Sequence, residues 1–143
     1  MLPVLGNIAV QERLIAAADA DRLHHAYLFE GPDGVGKATF AVWFARYVNC
    51  TAANRPCAKC ASCRQMLAGS HPDLLVVGTD PERATRVVSV DQAHTIINAV
   101  QLQRHSARRR FVIIDPADAM NDESANTLLK TLEEPPAGTQ FIL

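Results

Sequence analysis

Three groups of residues in this chain have the types and spacing to do chemistry. The first is Gly31-Pro32-Asp33-Gly34-Val35-Gly36-Lys37-Ala38-Thr39, which fits the pattern G-x-x-x-x-G-K. Glycines let successive backbone N–H groups turn toward one point, and the N-terminus of a following helix adds partial positive charge there. Lys37 would supply a compact cation for the β- and γ-phosphates of a nucleotide. The pattern calls for Ser or Thr directly after the lysine, whose hydroxyl holds Mg²⁺. Here that position is Ala38, with Thr39 one place late. The residues therefore suit a site for ATP or ADP in which Mg²⁺ lacks its hydroxyl ligand, and in which binding and hydrolysis are uncoupled.

The second group is Cys50, Cys57, Cys60 and Cys63, which are all the cysteines of the chain, spaced C-x6-C-x2-C-x2-C. Two consecutive C-x2-C steps bring thiolates within reach of a single tetrahedral ion. Disulfides, a redox pair and an iron–sulfur cluster are the other uses of such residues. Disulfides are rare in cytosolic proteins, and a redox pair leaves two cysteines without a role. Zinc is the reading adopted. Four protein thiolates leave no open position for water, so the expected site is structural and not catalytic.

The third group is the apolar run Phe111-Val112-Ile113-Ile114 ending in Asp115. In P-loop proteins such a strand lies beside the P-loop strand, and its aspartate orients Mg²⁺. Efficient ATPases follow it with a glutamate that polarises the attacking water. Pro116 stands there in this chain, and Asp118, three residues past Asp115, is expected to point elsewhere. No catalytic residue is assigned, and the chain's own hydrolysis is expected to be weak or absent.

The elements that must position these groups can be read from periodicity. Asn7 is expected to cap a helix running to about Asp21, with Ile8, Leu14, Ile15 and Ala18 as its apolar face. Ala26 to Phe29 reads as a strand leading into the glycine loop. A helix from Lys37 to about Asn49 follows, apolar on most sides. Residues 50–63 form a small inserted unit. A helix is expected from Ser62 to Ala68, stopped by Gly69, and His71-Pro72-Asp73 reads as a turn. Leu74 to Val77 has the continuous apolar pattern of a strand buried on both faces. A loop spans Thr79 to Arg86, and a helix beginning near Asp91 runs to about Gln103. Asn121 is expected to cap a helix from Asp122 to Glu134, which Pro135-Pro136 ends. A last strand starts near Gln140. Strands alternating with helices predict an α/β fold with a parallel sheet flanked by helices on both faces.

Bulk properties limit the function classes. At 143 residues, 48% hydrophobic and 20% charged, the chain has the size and composition of one globular domain. No apolar run approaches the roughly 20 residues that span a bilayer, and Met1 to Gly6 lack the features of a signal peptide, so the cytoplasm is expected and no membrane partner. A net charge of −1 argues against autonomous nucleic-acid binding. Arg104, His105, Arg108, Arg109 and Arg110 cluster locally, read as a solvated loop before a buried strand rather than a phosphate or partner contact. Glu133 and Glu134 read as a solvated helix end, and His24, His25 and His71 as non-ligands. The strand Thr139 to Leu143 stops without a turn, so the chain is expected to be the N-terminal part of a longer protein.

Taken together, these residues resemble the clamp-loader subunits of bacterial DNA polymerase III, within the AAA+ group. The resemblance rests on His24-His25-Ala26-Tyr27-Leu28-Phe29-Glu30-Gly31-Pro32 running into the P-loop, and on the four-cysteine unit directly after the P-loop helix. It rests also on Asn121 to Pro136, containing Ala125-Asn126-Thr127-Leu128-Leu129-Lys130-Thr131-Leu132-Glu133-Glu134. It covers essentially the whole chain. It implies a P-loop AAA+ (RecA-like) core over residues 1–143 with a zinc module inserted at 50–63. The implied partners are other clamp-loader subunits in a hetero-pentameric ring and, through the complex, the sliding clamp and primer-template DNA during replication. Motor members of the family carry Ser or Thr after the P-loop lysine and Glu after the strand aspartate. Ala38 and Pro116 depart at both positions, as in the family's non-motor member. An active motor ATPase is the alternative. A nucleotide kinase with a zinc-bound lid and a zinc-dependent nucleic-acid module are more distant ones. The family's arginine finger lies in a Ser-Arg-Cys motif past the last strand, so no residue here is assigned that role.

Overall fold

The computed structural model describes residues 7–104 and 106–143. The opening segment and His105, both read above, lie outside the described residues. Four parallel strands form one sheet in the order β1-β4-β3-β2: β1 Ala26–Tyr27, β2 Leu74–Val77, β3 Arg110–Ile114 and β4 Thr139–Ile142. The helices are α1 Ile8–Asp19, α2 Lys37–Asn49, α3 Ala61–Ala68, α4 Val90–Gln101 and α5 Asp122–Glu133, with a 3₁₀ turn at Ala117–Ala119. This is the expected α/β architecture.

Helices cover both faces, and the alternation of side chains along each strand sorts the core accordingly. Phe111, Ile113 and Ile142 face α1, α2 and α3, where Leu14, Ala41, Phe44, Val48 and Met66 are buried. Val112, Ile114 and Phe141 face α4 and α5, against Ala93, Ile96, Val100 and Leu128. β3 is buried at every residue because it is central and doubly covered.

Local chemistry sets the boundaries. Ser89 opens α4 with a reciprocal capping box, its hydroxyl accepting from Gln92 N–H while Gln92 Oε1 accepts from Ser89 N–H. Asn121 Oδ1 accepts from Ser124 N–H at 2.9 Å to start α5, as expected. Gly69, at φ 73°, ends α3, and the next residue's N–H returns to Gln65 O.

Several expectations are corrected. Asn7 adopts a left-handed conformation and makes no side-chain cap, and Ile8 is exposed, so α1 buries only Leu14 and Ala18 fully. β2 is an edge strand: Val76 is 51% exposed, and only Leu74 and Val77 are buried. A continuous apolar run cannot by itself distinguish a central strand from an edge strand. The strand that ends in Asp115 does not lie beside the P-loop strand, because β4 separates β3 from β1. β1 is also shorter than expected. Leu28 is 65% exposed, although Phe29 N–H still bonds Leu143 O at 2.9 Å.

The basic cluster is not one solvated loop. Arg110 is 5% exposed, within β3, and pairs with buried Asp73 at 3.4 Å while donating to Ala99 O at 2.8 Å. Arg108 and Arg109 both approach Asp21, at 3.7 and 2.8 Å. Asn49 then brackets the Arg109 backbone, accepting from its N–H and donating to its carbonyl. Arg109 and Arg110 are thus engaged within the chain, while Arg104 and Arg108 stay exposed, as expected of a solvated loop. Glu133 and Glu134 are exposed, as expected.

Candidate functional site

The glycine loop and the C-terminal ends of β3 and β4 enclose a cavity of about 290 Å³. Ligands of open parallel sheets bind at this end of the strands. Gly36, at φ 95°, sits at the N-cap of α2, a conformation glycine adopts without strain, so the loop turns directly into the helix that begins at Lys37. Gly34 is likewise left-handed, at φ 79°.

Of the residues singled out from the sequence, Gly31, Asp33, Lys37, Ala38 and Asp115 line the cavity. Pro32, Gly34, Val35, Gly36 and Thr39 lie on the same loop and helix start but not in the lining. Thr39 is exposed, so its hydroxyl does not take over the position left empty by Ala38. Lys37 Nζ donates to Gly31 O at 2.6 Å and lies 4.0 Å from Asp33 Oδ1. Its ammonium is thus held against the loop it would share with phosphate. Pro116 also lines the cavity and brings no carboxylate. Asp118 lines it too, contrary to expectation, and lies in the turn Ala117–Ala119 that follows Pro116. The sequence spacing alone gave no sign of this turn.

The second site is the cysteine unit. All four Sγ atoms lie within 4.8 Å of one another, and Cys50 and Cys60 Sγ are 4.0 Å apart. A tetrahedral zinc with Zn–S of about 2.3 Å separates its sulfurs by about 3.8 Å, so the donor set fits one such ion. The 4.0 Å separation is about twice a disulfide bond length. Two helices present the ligands: Cys50 follows the last residue of α2, Cys60 caps α3, and Cys63 lies fully buried in the first turn of α3.

Backbone N–H groups point at the sulfurs. Cys57 Sγ accepts from Lys59 and Cys60 at 3.4 and 3.2 Å, Cys50 Sγ from Ala52 and Cys57 at 3.5 and 3.4 Å, and Cys60 Sγ from Cys63 at 3.4 Å. Such donors stabilise thiolate over thiol. The amides of Cys60 and Lys59 lower the Cys57 pKa. At Cys60 burial acts upward, but the amides of Cys63 and Thr51 and neighbouring thiols outweigh it, bringing the pKa to about 6. Burial pushes Cys63 up to about 12, and a nearby cation would favour its thiolate.

Fold and pocket together define a P-loop α/β protein with an inserted four-cysteine unit. The family described as "DNA polymerase III, delta subunit" matches residues 6–143. The DNA polymerase III subunit delta' of Pseudomonas aeruginosa is 40% identical over 121 residues, covering 83% of this chain and 36% of that protein. The subunit tau/gamma of Haemophilus influenzae is 35% identical over 143 residues, covering 96% of this chain and 20% of that protein. The delta' subunit of Escherichia coli is 34% identical over 134 residues, covering 92% and 40%. The chain thus spans between a fifth and two fifths of the length of these relatives. A crystal structure of a DNA polymerase III gamma subunit-related protein from Thermotoga maritima superposes with a TM-score of 0.65 at 22% identity, over 96% of this chain and 38% of that one. This likeness supports the fold. The chain belongs to the DNA polymerase III delta-subunit family, and the relatives it matches include DNA polymerase III subunits named delta' and tau/gamma. Among the described residues no helix is long and apolar enough to cross a membrane.

Proposed function

We propose that this chain is the AAA+ core of a delta prime subunit, the non-motor member of a bacterial clamp loader. In this reading it sits in a hetero-pentameric ring with gamma/tau and delta-type subunits in the cytoplasm. The ring loads the sliding clamp onto primer-template DNA during replication. The chain's own P-loop holds ATP or ADP without turning it over, and zinc on Cys50, Cys57, Cys60 and Cys63 is structural.

One observation carries the reading: the two positions where a motor needs oxygen ligands or a base, Ala38 and Pro116, both line the cavity and offer neither. An arginine donated in trans can accelerate a neighbour's hydrolysis without the donor hydrolysing anything, so such a subunit can lose its own base and keep its fold. Lys37 and the left-handed glycines preserve the phosphate-binding half of the site.

Calorimetry with ATP and ADP, with and without Mg²⁺, tests this, followed by a phosphate-release assay. The expected result is binding that changes less than about threefold with Mg²⁺, with no turnover, because the hydroxyl ligand is missing. Lys37→Ala is expected to weaken binding at least about tenfold through loss of the phosphate cation. Absence of binding to the unaltered chain would make the pocket a relic and leave the function in its interfaces.

The motor reading is favoured by one observation, that the acidic residue Asp118 is among those lining the cavity. Fast turnover by the unaltered chain, abolished in Asp118→Ala, would establish it. On the non-motor reading, Ala38→Ser combined with Pro116→Glu restores Mg²⁺ dependence.

A further inference from the structure

The cysteine unit is tied to the P-loop body by three side chains that are not ligands. Arg55, in the loop between Cys50 and Cys57, donates to the Asp19 carboxylate at the end of α1. The same guanidinium donates to Tyr47 Oη at 3.3 Å and lies over the Tyr47 ring, 4.5 Å from its centre. Tyr47 Oη in turn donates to Asp19 Oδ1 at 3.0 Å. A phenol is protonated at neutral pH in any case, and burial, and then the hydrogen bond to Asp19, raise its pKa further. The result is a closed triangle joining α1, α2 and the cysteine loop.

We propose that Asp19, Tyr47 and Arg55 form a positioning clasp that sets the metal affinity of the four-cysteine unit and makes its occupancy readable at Trp43. This rests on the metal reading above. The physical case is one of loop closure. Cys50 is fixed by α2 and Cys63 by α3, with Cys60 at the cap of the same helix. Cys57 is the one ligand carried wholly by loop. An ion must order residues 51–59 on binding, at a conformational cost for each residue fixed. The clasp seizes that loop two residues before Cys57, so part of the ordering is complete before the ion arrives. Preorganisation of this kind raises affinity without adding a ligand.

Trp43 provides the readout. It is the single tryptophan of the chain, and its ring packs against Tyr47 in a tilted contact with centroids 5.8 Å apart. On its other side it meets Phe40 at 5.3 Å, and Phe40 meets Phe29 at 5.5 Å. Phe29 lines the nucleotide cavity. A change in the hold of Arg55 on Tyr47 therefore alters the surroundings of Trp43 directly.

The test uses the whole 143-residue chain, stripped of metal and titrated with Co²⁺ against a chromophoric chelator. The unaltered chain is expected to show the sulfur-to-cobalt charge-transfer band of four thiolates. Asp19→Asn and Arg55→Ala are expected to weaken Co²⁺ binding by about tenfold each, the low end of what support of metal ligands contributes, with the band position unchanged. Arg55→Lys keeps the charge but loses the planar fork, and recovers only part of the affinity. The Asp19→Asn/Arg55→Ala double variant is expected to be no more than about twofold weaker than the worse single variant, because both changes open one clasp. Adding Zn²⁺ should shift Trp43 emission in the unaltered chain and much less in Arg55→Ala. Unfolding of the metal-free variants, followed by circular dichroism, separates positioning from stability. Variants that lose stability equally with and without metal, at unchanged Co²⁺ affinity, would overturn the clasp and leave the metal reading standing. An unaltered chain without the thiolate charge-transfer band would overturn the metal reading, and the clasp with it.

Discussion

Chelation of zinc from the loaded chain is expected to melt residues 50–69 and to leave the four-stranded sheet folded. Structural zinc contributes roughly 10 kcal/mol or more of apparent binding free energy in small metal-dependent units, far more than 20 residues of loop and short helix could gain from their own core. α3 has only eight residues, too few to persist without partners. Its inward side chains, Cys63 and Met66, are the only residues it buries fully. Of the two only Met66 joins the core that the sheet faces, and the rest of that core lies on α1, α2 and the strands. α2 remains held through Ala41, Phe44, Ala45 and Val48, and the α4/α5 face forms a separate core. Hydrogen exchange would check the prediction. The amides of Ala52, Cys57, Lys59, Cys60 and Cys63, which bond to sulfur, should lose protection on chelation. Those of Val112, Ile113 and Ile114 in β3 should keep it. Loss of protection throughout β3 would mean that the cysteine unit is part of the global folding core.

Much of this architecture was legible in the residue pattern, for stated physical reasons. The glycine loop, α2, β3 and the cap at Asn121 each follow from strong local signals: left-handed glycines, continuous apolar runs and an Asx cap. The cysteine cluster followed from spacing, because C-x2-C steps leave the sulfurs few other places to go. What failed was long-range. Nothing local distinguishes β2, at the edge, from β3, in the centre, because both are short apolar runs. The insertion of β4 between β1 and β3 is a topological fact that no window of sequence contains. Asp118 reaches the cavity lining through the 3₁₀ turn after Pro116, which no local pattern announces. The arginine cluster misled for a related reason. Charge runs are read by composition, whereas Arg110 is buried by its register in a strand and compensated by Asp73, 37 residues away. The clasp at Asp19, Tyr47 and Arg55 was invisible for the same reason, since its members are common residue types brought together by tertiary structure.

Asp73→Ala is expected to lower global stability by about 3–5 kcal/mol, the cost of removing one partner from a buried ion pair. Asp73 is 1% exposed and Arg110 5% exposed, so water cannot take over the lost contacts. The carboxylate serves more than the guanidinium. Its Oδ2 also accepts from the N–H groups of Ser106 and Ala107, both at 2.9 Å, and so closes the α4–β3 loop over the entry to the central strand. Deletion leaves two amides without that acceptor and a buried cation still bonded to Ala99 O. For a domain of this size the loss corresponds to a fall in Tm of roughly 10–15 °C. Replacing both members, as Asp73→Ala with Arg110→Met, is expected to recover part of the loss because no charge is then stranded. Recovery should be incomplete, since the loop amides remain unsatisfied. Denaturant unfolding followed by circular dichroism would measure both variants, and a loss below about 1 kcal/mol for Asp73→Ala would show that the pair is dispensable. The contrast with chelation is the informative part. The ion pair anchors the start of β3, the strand whose far end carries Asp115 to the cavity, so its loss should lower the transition of the whole sheet. Metal loss should instead detach the cysteine unit from a sheet that still melts as one.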